Sequence, residues 1–126
     1  MNTTESGLQL ETIDRRREYA PGDEVELDVA WQLLKSAEAI EVRLVWYTVG
    51  KGDQDLSVVD YERIDDPPLD DRRRCTFVLP EGPYSFSGRL ISLVWCVELI
   101  VLPQGPSRRI DLTVGPDRCE VLLESN

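Results

Sequence analysis

The sequence predicts an all-β protein built as an antiparallel two-sheet sandwich of about seven strands. Hydrophobic and polar residues alternate with a period of two along most of the chain. Clusters of proline, glycine and aspartate separate the alternating segments, and no segment carries the period of an amphipathic helix. Short strands separated by turn residues at regular intervals are typical of two packed antiparallel sheets.

The first half of the chain contains the clearest alternation. Strands are predicted at residues 8–12, 25–33 and 40–48, with a weaker one at residues 56–64. In the strand at residues 25–33, one face is apolar and the other carries acidic residues and a glutamine. This pattern is typical of a strand with one buried face. The apolar face carries Val25, Leu27, Val29, Trp31 and Leu33.

The second half of the chain contains a stiff corner between two strands. Strands are predicted at residues 73–79, 90–102 and 108–114, and an acidic loop with two prolines covers residues 65–71. Between the first two of these strands, Pro80 and Pro83 restrict the backbone, so we expect a fixed connection from Phe77 to Gly88.

The chain is predicted to form one domain. Residues 1–7 are predicted to be an N-terminal tail, residues 8–114 the sandwich, and residues 115–126 a C-terminal tail or a short edge strand. A length of 126 residues fits one domain and allows a hydrophobic core without metal ions or disulfides.

Two motifs resemble those of arrestin-like proteins, including the small bacterial proteins of the sporulation-control type. Tyr19-Ala-Pro-Gly-Asp23 followed by Val25 is similar to that family's entry into its second strand. Phe77-Val-Leu-Pro80, with Pro83-Tyr-Ser85 and Gly88, is similar to its proline corner. The long strand that follows carries matching positions at Trp95, Val97 and Leu99.

The resemblance implies an immunoglobulin-like sandwich that acts as a non-enzymatic adaptor or scaffold. It covers residues 8–114 and maps no ligand-binding residue onto this chain. Leu27 stands where the family commonly has glycine, and the chain has room for one sandwich where family members often have two. A mechanism that depends on two lobes is therefore not carried over.

Composition excludes several functional classes. The formal net charge of −10 argues against nucleic acid as a partner. No apolar segment is long enough to span a membrane. The absence of histidine removes histidine-dependent catalysis and zinc ligation, and no phosphate-binding motif is present, so neither a cofactor nor a small-molecule ligand is predicted.

The three cysteines lack the spacing of a metal site or a disulfide framework, which predicts reduced thiols and a cytoplasmic location. Cys75 is expected in the core and Cys96 on the opposite face of its own strand. A disulfide between them is therefore not predicted.

Two alternatives to a protein-binding module rest on acidic residues. Loop carboxylates of a sandwich can converge on calcium, and this chain concentrates them in and around two loops. The residues concerned are Asp53, Asp55, Asp60, Asp65, Asp66, Asp70 and Asp71. The other alternative is a hydrolase that uses only carboxylates, which requires two acids facing each other in a pocket.

Candidate contact residues fall into three groups. Arg43, Val45 and Tyr47 lie on the predicted solvent face of the third strand, and tyrosine and arginine are enriched in interfaces. Two arginine triplets suit an acidic or phosphorylated partner, or local ion pairs with neighbouring acids. These triplets are Arg15, Arg16 and Arg17, and Arg72, Arg73 and Arg74. Exposed sheet edges also favour binding of another protein, including self-association through an edge strand.

Overall fold

A computed structural model of the protein describes residues 7–52 and 54–123. It contains ten strands and a single 3₁₀ turn at Pro116–Arg118, which lies between the last two strands. The strands are β1 (Leu8–Thr12), β2 (Glu18–Tyr19), β3 (Glu24–Gln32), β4 (Ala39–Gly50), β5 (Leu56–Asp65), β6 (Asp70–Val78), β7 (Phe86–Gly88), β8 (Ile91–Leu102), β9 (Ser107–Val114) and β10 (Val121–Leu123).

The strands form two sheets packed as a sandwich. The smaller sheet has the order β1-β3-β6 and is antiparallel throughout. The larger sheet has the order β10-β7-β8-β4-β5, with β9 also paired to β8 and β2 paired to β9. Two short pairings, of β2 with β9 and of β10 with β7, are parallel. The predicted two-sheet all-β fold is confirmed.

The core lies between the sheets and is supplied by the alternating positions that the sequence indicates. Val25, Leu27 and Val29 of β3 are fully buried, while the acids between them lie on the other face. Leu99 and Trp95 of β8 reach the same core from the larger sheet. Because the two faces of β3 differ this sharply, a slip of one residue in the register of this strand would bury its acids.

All seven predicted long strands are present, with small shifts at their ends. The clearest shift is at β6, which begins at Asp70, so the acidic loop is shorter than predicted and the second arginine triplet lies in a strand. Three short strands complete the sheets. Of these, β2 and β7 were not predicted, whereas β10 corresponds to the edge strand considered at residues 120–123.

The predicted corner between β6 and β8 is held by buried polar contacts. Ser85 is buried, and its Oγ accepts a hydrogen bond of 2.9 Å from the backbone N–H of Val114. The backbone of Ser85 also donates to the Val114 carbonyl and accepts from Val121. The Trp95 indole N–H donates to the Pro83 carbonyl at 2.9 Å. The corner therefore ties β7, β9 and β10 together.

Replacing Ser85 with alanine is expected to reduce the free energy of unfolding by about 1–3 kcal/mol, because the buried Val114 N–H would lose its acceptor. Ser87→Ala is the matched control, since the Ser87 hydroxyl bonds to Glu120 at an exposed site. We expect the control to change stability by less than about 0.5 kcal/mol. Urea unfolding measures both variants, and equal losses would show that the corner serine has no special role.

Candidate functional site

The predicted contact residues Arg43, Val45 and Tyr47 lie on the outer face of the larger sheet, which is turned away from the smaller sheet. On this face the residues directly opposite them on β5 are Tyr61, Val58 and Leu56, respectively. The register shifts between Leu44 and Val45, where a β-bulge interrupts the β4–β5 pairing. Directly paired residues share one face of a sheet, so the two strands present a common surface.

The outer face is more deeply buried at its centre than the alternation predicts. Val45 was assigned to solvent but is only 3% exposed, and Cys96, directly opposite it on β8, is 2% exposed. The guanidinium group of Arg109 lies 5.1 Å from the centre of the Tyr47 ring. Tyr47 and Arg109 also line a cleft of about 250 Å³ together with Val45 and Cys96. Long side chains from neighbouring strands therefore cover the small ones.

Burial changes the acid–base properties of two groups in this cleft. It raises the pKa of Tyr47, and the nearby Asp111 carboxylate adds to the effect. It also raises the pKa of the Cys96 thiol to about 12. A thiol with this pKa stays protonated near neutral pH, so Cys96 is not a nucleophile in this structure.

Beside the covered centre, β5 exposes a group of large apolar side chains. Leu56 is 68% exposed, Tyr61 is 56% exposed and Val58 is 42% exposed. These residues with Tyr47 and Arg43, both half-buried, are called the outer-face patch below. Large apolar side chains grouped on one strand face are a recognised mark of interaction surfaces.

An ionic cluster borders the outer-face patch. Glu41 is buried and its carboxylate accepts hydrogen bonds of 2.8 Å from both Arg43 and Arg63. Burial disfavours the ionised form of Glu41, but the two arginines hold the pKa of this carboxyl below its usual value. Arg63 also contacts Asp65 at 2.7 Å. The cluster therefore fixes Arg43 at the margin of the patch.

The first arginine triplet is largely occupied by ion pairs within the protein. Arg16 contacts Asp14 and Asp23 and lies 4.4 Å from the centre of the Tyr19 ring. Arg17 contacts Glu11 at 2.6 Å. Arg15 is exposed at a turn with a φ of +62°. Local pairing accounts for two of the three residues.

The second triplet is divided between the two faces of β6. Arg73 faces the core side of the sheet, where it lies 5.9 Å from the Trp31 ring and contacts Asp71 at 2.9 Å. Arg72 lies on the outer face and contacts Asp28 at 3.6 Å. Arg74 lies directly opposite Asp28 and is exposed. The structure therefore does not gather the triplet into a single basic surface.

Among the residues that the structure describes, no three acidic side chains converge on a common point. Within residues 7–52 and 54–123, no group of three or more histidine, cysteine, aspartate or glutamate side chains is placed to hold a metal ion. Asp53 lies outside the described residues. A cavity of about 810 Å³ between the β3–β4 and β8–β9 loops has no carboxylate among its lining residues, so it offers no acid pair for hydrolysis.

All three cysteines are free thiols, and two of them are buried. Cys75 lies in the core, as predicted, and burial raises the pKa of its thiol to about 11. Cys96 lies on the outer face, opposite in parity to Trp95, as predicted, and it is buried there. No helix in the described part of the chain has the length and hydrophobicity to cross a membrane.

Comparison with known proteins supports the fold. No family model and no curated protein matches the sequence. Among solved structures, the sporulation control protein Spo0M from Bacillus subtilis superposes with a TM-score of 0.59 at 18% identity. The match covers 87% of this chain and 50% of Spo0M.

The protein has an arrestin-like fold. The resemblance inferred from the Pro-Gly-acid motif and the proline corner is therefore confirmed at the level of the fold. This chain spans about half the length of Spo0M. At this level of identity the likeness establishes the fold alone.

Sequence reasoning found one side of the outer-face patch and missed the other. The β4 residues were predicted from their parity, but Leu56, Val58 and Tyr61 were not singled out because β5 alternates weakly. The missing signal was the pairing of β4 with β5, which places two partly apolar strand faces side by side. Parity along a single strand contains no information about its neighbours.

Proposed function

We propose that this arrestin-like protein is a non-enzymatic protein-binding or scaffold module, and that the outer-face patch is its contact surface. The observation that carries the proposal is the exposure of Leu56, Val58 and Tyr61 beside Tyr47 and Arg43. The buried free thiols of Cys75 and Cys96 suit a cytoplasmic location, which we include in the proposal.

The composition of the patch supports protein recognition. Leucine and tyrosine offer large apolar area with few rotatable bonds, and a tyrosine–arginine pair is typical of energetically important contact positions. Tyr47 is already held by Arg109, and Arg43 is already held by Glu41. Binding to a pre-organised surface loses less conformational entropy than binding to a mobile one.

The charge around the patch favours a partner of mixed rather than uniform charge. The acids and arginines of the outer face neutralise each other locally, through Glu41 with Arg43 and Arg63, and Arg109 with Asp111. A strongly basic or strongly acidic partner would gain little from this face. We therefore expect an apolar contact centre with a polar rim.

The experiment that tests the proposal is quantitative affinity capture from native lysate. We compare the wild type with Leu56→Ser/Tyr61→Ser, which removes the exposed apolar side chains without touching the core. A specific partner should be captured by the wild type and reduced at least about tenfold by the double variant. Arg43 and Tyr47 are left unchanged because each has partners within the fold.

Val78→Ser is the matched control. Val78 is 57% exposed on the outer face of the smaller sheet, so this change alters a comparable apolar residue on the opposite side of the sandwich. We expect the control to capture the same partner as the wild type. Equal capture by all three proteins, each with a wild-type melting temperature, would contradict the proposal.

A further inference from the structure

Strand β6 is a free edge of the smaller sheet. It pairs with β3 in a continuous ladder from Glu24↔Val78 to Gln32↔Asp70, and with no other strand among the described residues. The ladder contains no register shift. A regular edge of this length is a template for one more strand.

The contacts of β6 identify which backbone groups are free at this edge. The Leu69 carbonyl accepts from Leu33, and the Leu79 N–H donates to Asp23, so residues of odd number bond toward β3. In contrast, the N–H of Arg72 donates to the Asp71 carboxylate at 2.8 Å. In an antiparallel ladder the two polar groups of a residue point the same way, so even-numbered residues present theirs outward.

The charge sequence of this edge is complementary to itself. Residues 70–74 read Asp-Asp-Arg-Arg-Arg. If a second copy pairs antiparallel about a two-fold axis at Arg72, Asp70 faces Arg74 of the other copy, and Asp71 faces Arg73. If the axis lies at Asp71 instead, Asp71 faces the Asp71 of the other copy. If it lies at Arg73, Arg72 faces Arg74 of the other copy. Opposite charges directly across a strand pair stabilise it, and like charges oppose it.

We propose that the β6 edge binds a second copy of this chain, with the two-fold axis at Arg72, so that the two smaller sheets join into one continuous sheet. Arg72 is then the one charged residue of this segment that faces the same residue in the other copy. In each copy, the Asp28 carboxylate lies 3.6 Å from the Arg72 guanidinium group. Pairing ends beyond this segment because Thr76 would face Pro68, which has no N–H to donate. This surface is independent of the outer-face patch.

The β5 edge of the larger sheet is protected against the same pairing. A β-bulge interrupts β5, and its core-facing positions carry Asp60 opposite Leu44 and Glu62 opposite Val42. Bulges and inward-pointing charges are devices that prevent edge pairing. The β5 and β6 edges therefore differ, and of these two the difference favours β6 as the site of contact.

Dimer formation exchanges contacts within β6 for equivalent contacts between copies. In one copy, Asp71 accepts from the Arg72 N–H and from the Arg73 side chain. In the pair, the Arg72 N–H donates to the Arg72 carbonyl of the other copy, and Asp71 contacts the other copy's Arg73. The exchange leaves none of these charged groups unpaired, and the gain comes from new backbone hydrogen bonds.

A charge-swap experiment tests the proposal by sedimentation equilibrium from about 10 μM to about 1 mM protein. Asp70→Arg and Arg74→Asp each place like charges opposite one another at two points, and each should raise the dimer dissociation constant at least about tenfold. Mixing the two variants restores both opposite-charge pairs, so a heterodimer should form with nearly wild-type affinity. Circular dichroism confirms that each variant is folded.

Disulfide trapping tests the register. In a Cys119→Ser background, Arg72→Cys should form a linked dimer on mild oxidation, because the two positions face each other at the axis. Thr76→Cys should not, since its two copies would lie about 26 Å apart along the strands. A monomeric wild type at about 1 mM, a failure of the mixed variants to pair, or linkage through Thr76→Cys alone would overturn the proposal.

The same experiments separate this proposal from the outer-face proposal. Leu56→Ser/Tyr61→Ser should dimerise like the wild type while losing the captured partner. Loss of dimerisation in that double variant would overturn the β6 assignment and would indicate that the outer face mediates self-association.

Discussion

Replacing Trp95 with alanine is expected to reduce the free energy of unfolding by about 3–5 kcal/mol, the largest effect of any change considered for this protein. Trp95 is completely buried at the centre of the larger sheet. It faces Trp46 directly across the β4–β8 ladder, and its indole N–H donates to the Pro83 carbonyl. The change would open a cavity in the core and release the corner at the same time.

Two further variants separate these contributions, and urea unfolding measures all three. Trp95→Phe keeps most of the ring volume but leaves the Pro83 carbonyl without its donor, so we expect a loss of about 1–3 kcal/mol. Trp46→Ala should cost less than Trp95→Ala, because Trp46 is only half-buried. If Trp46→Ala were the more damaging of the two, the assignment of Trp95 as the central core residue would be wrong.

Replacing Gly50 with alanine is expected to cost about 3 kcal/mol or more, because two effects combine. Gly50 has a φ of +141°, which side-chain-bearing residues rarely adopt. In addition, an added Cβ would clash with the Leu90 carbonyl oxygen and would lie 2.8 Å from the Cα of Ile91. The end of β4 would have to move away from the start of β8.

Gly52→Ala is the control for backbone strain alone. Gly52 also has a positive φ, of +91°, but an added Cβ there has no neighbour within 4 Å. We expect a loss of about 1–2 kcal/mol for this variant. Thermal unfolding of both proteins checks the difference, and equal losses would show that β4 and β8 do not approach closely at Gly50.

Much of this fold can be predicted from the sequence because each central strand has one strongly apolar face. The alternation in β3 defines both the strand and its buried side, and Pro80 and Pro83 define the corner. Short strands are harder to predict. Strand β2 consists of Glu18 and Tyr19 and depends on pairing with β9, which is remote in the chain. A local pattern contains no information about such a partner.

The candidate site shows the same limit at the level of side chains. Parity places Val45 and Cys96 on the outer face correctly, but it does not predict that they are buried there. They line one cleft with Tyr47 and with Arg109, which lies on β9 and stacks on the Tyr47 ring. The exposed apolar part of the face lies instead at Leu56 and Tyr61 on β5. The surface that we propose as the contact site is therefore visible only from the pairing of β4 with its neighbours.

We propose that partner binding occurs on the outer face of β4 and β5, because the two outer faces of the sandwich differ in character. The smaller sheet carries a strongly charged outer face, with Glu24, Glu26 and Asp28 on β3 and Arg72 and Arg74 on β6. The larger sheet combines exposed Leu56, Val58 and Tyr61 with fixed arginines. Apolar area with a polar rim is the arrangement that stable protein contacts favour.

Amide hydrogen exchange in the presence and absence of the captured partner is the most direct test of this claim. We expect slower exchange on binding along β5, from Leu56 to Asp65, and in the facing part of β4 around Tyr47. Amides of β3 and β6 should exchange at their unbound rates when measured at the same degree of self-association. Protection confined to β3 and β6, with β5 unchanged, would show that the partner does not bind the outer face of β4 and β5.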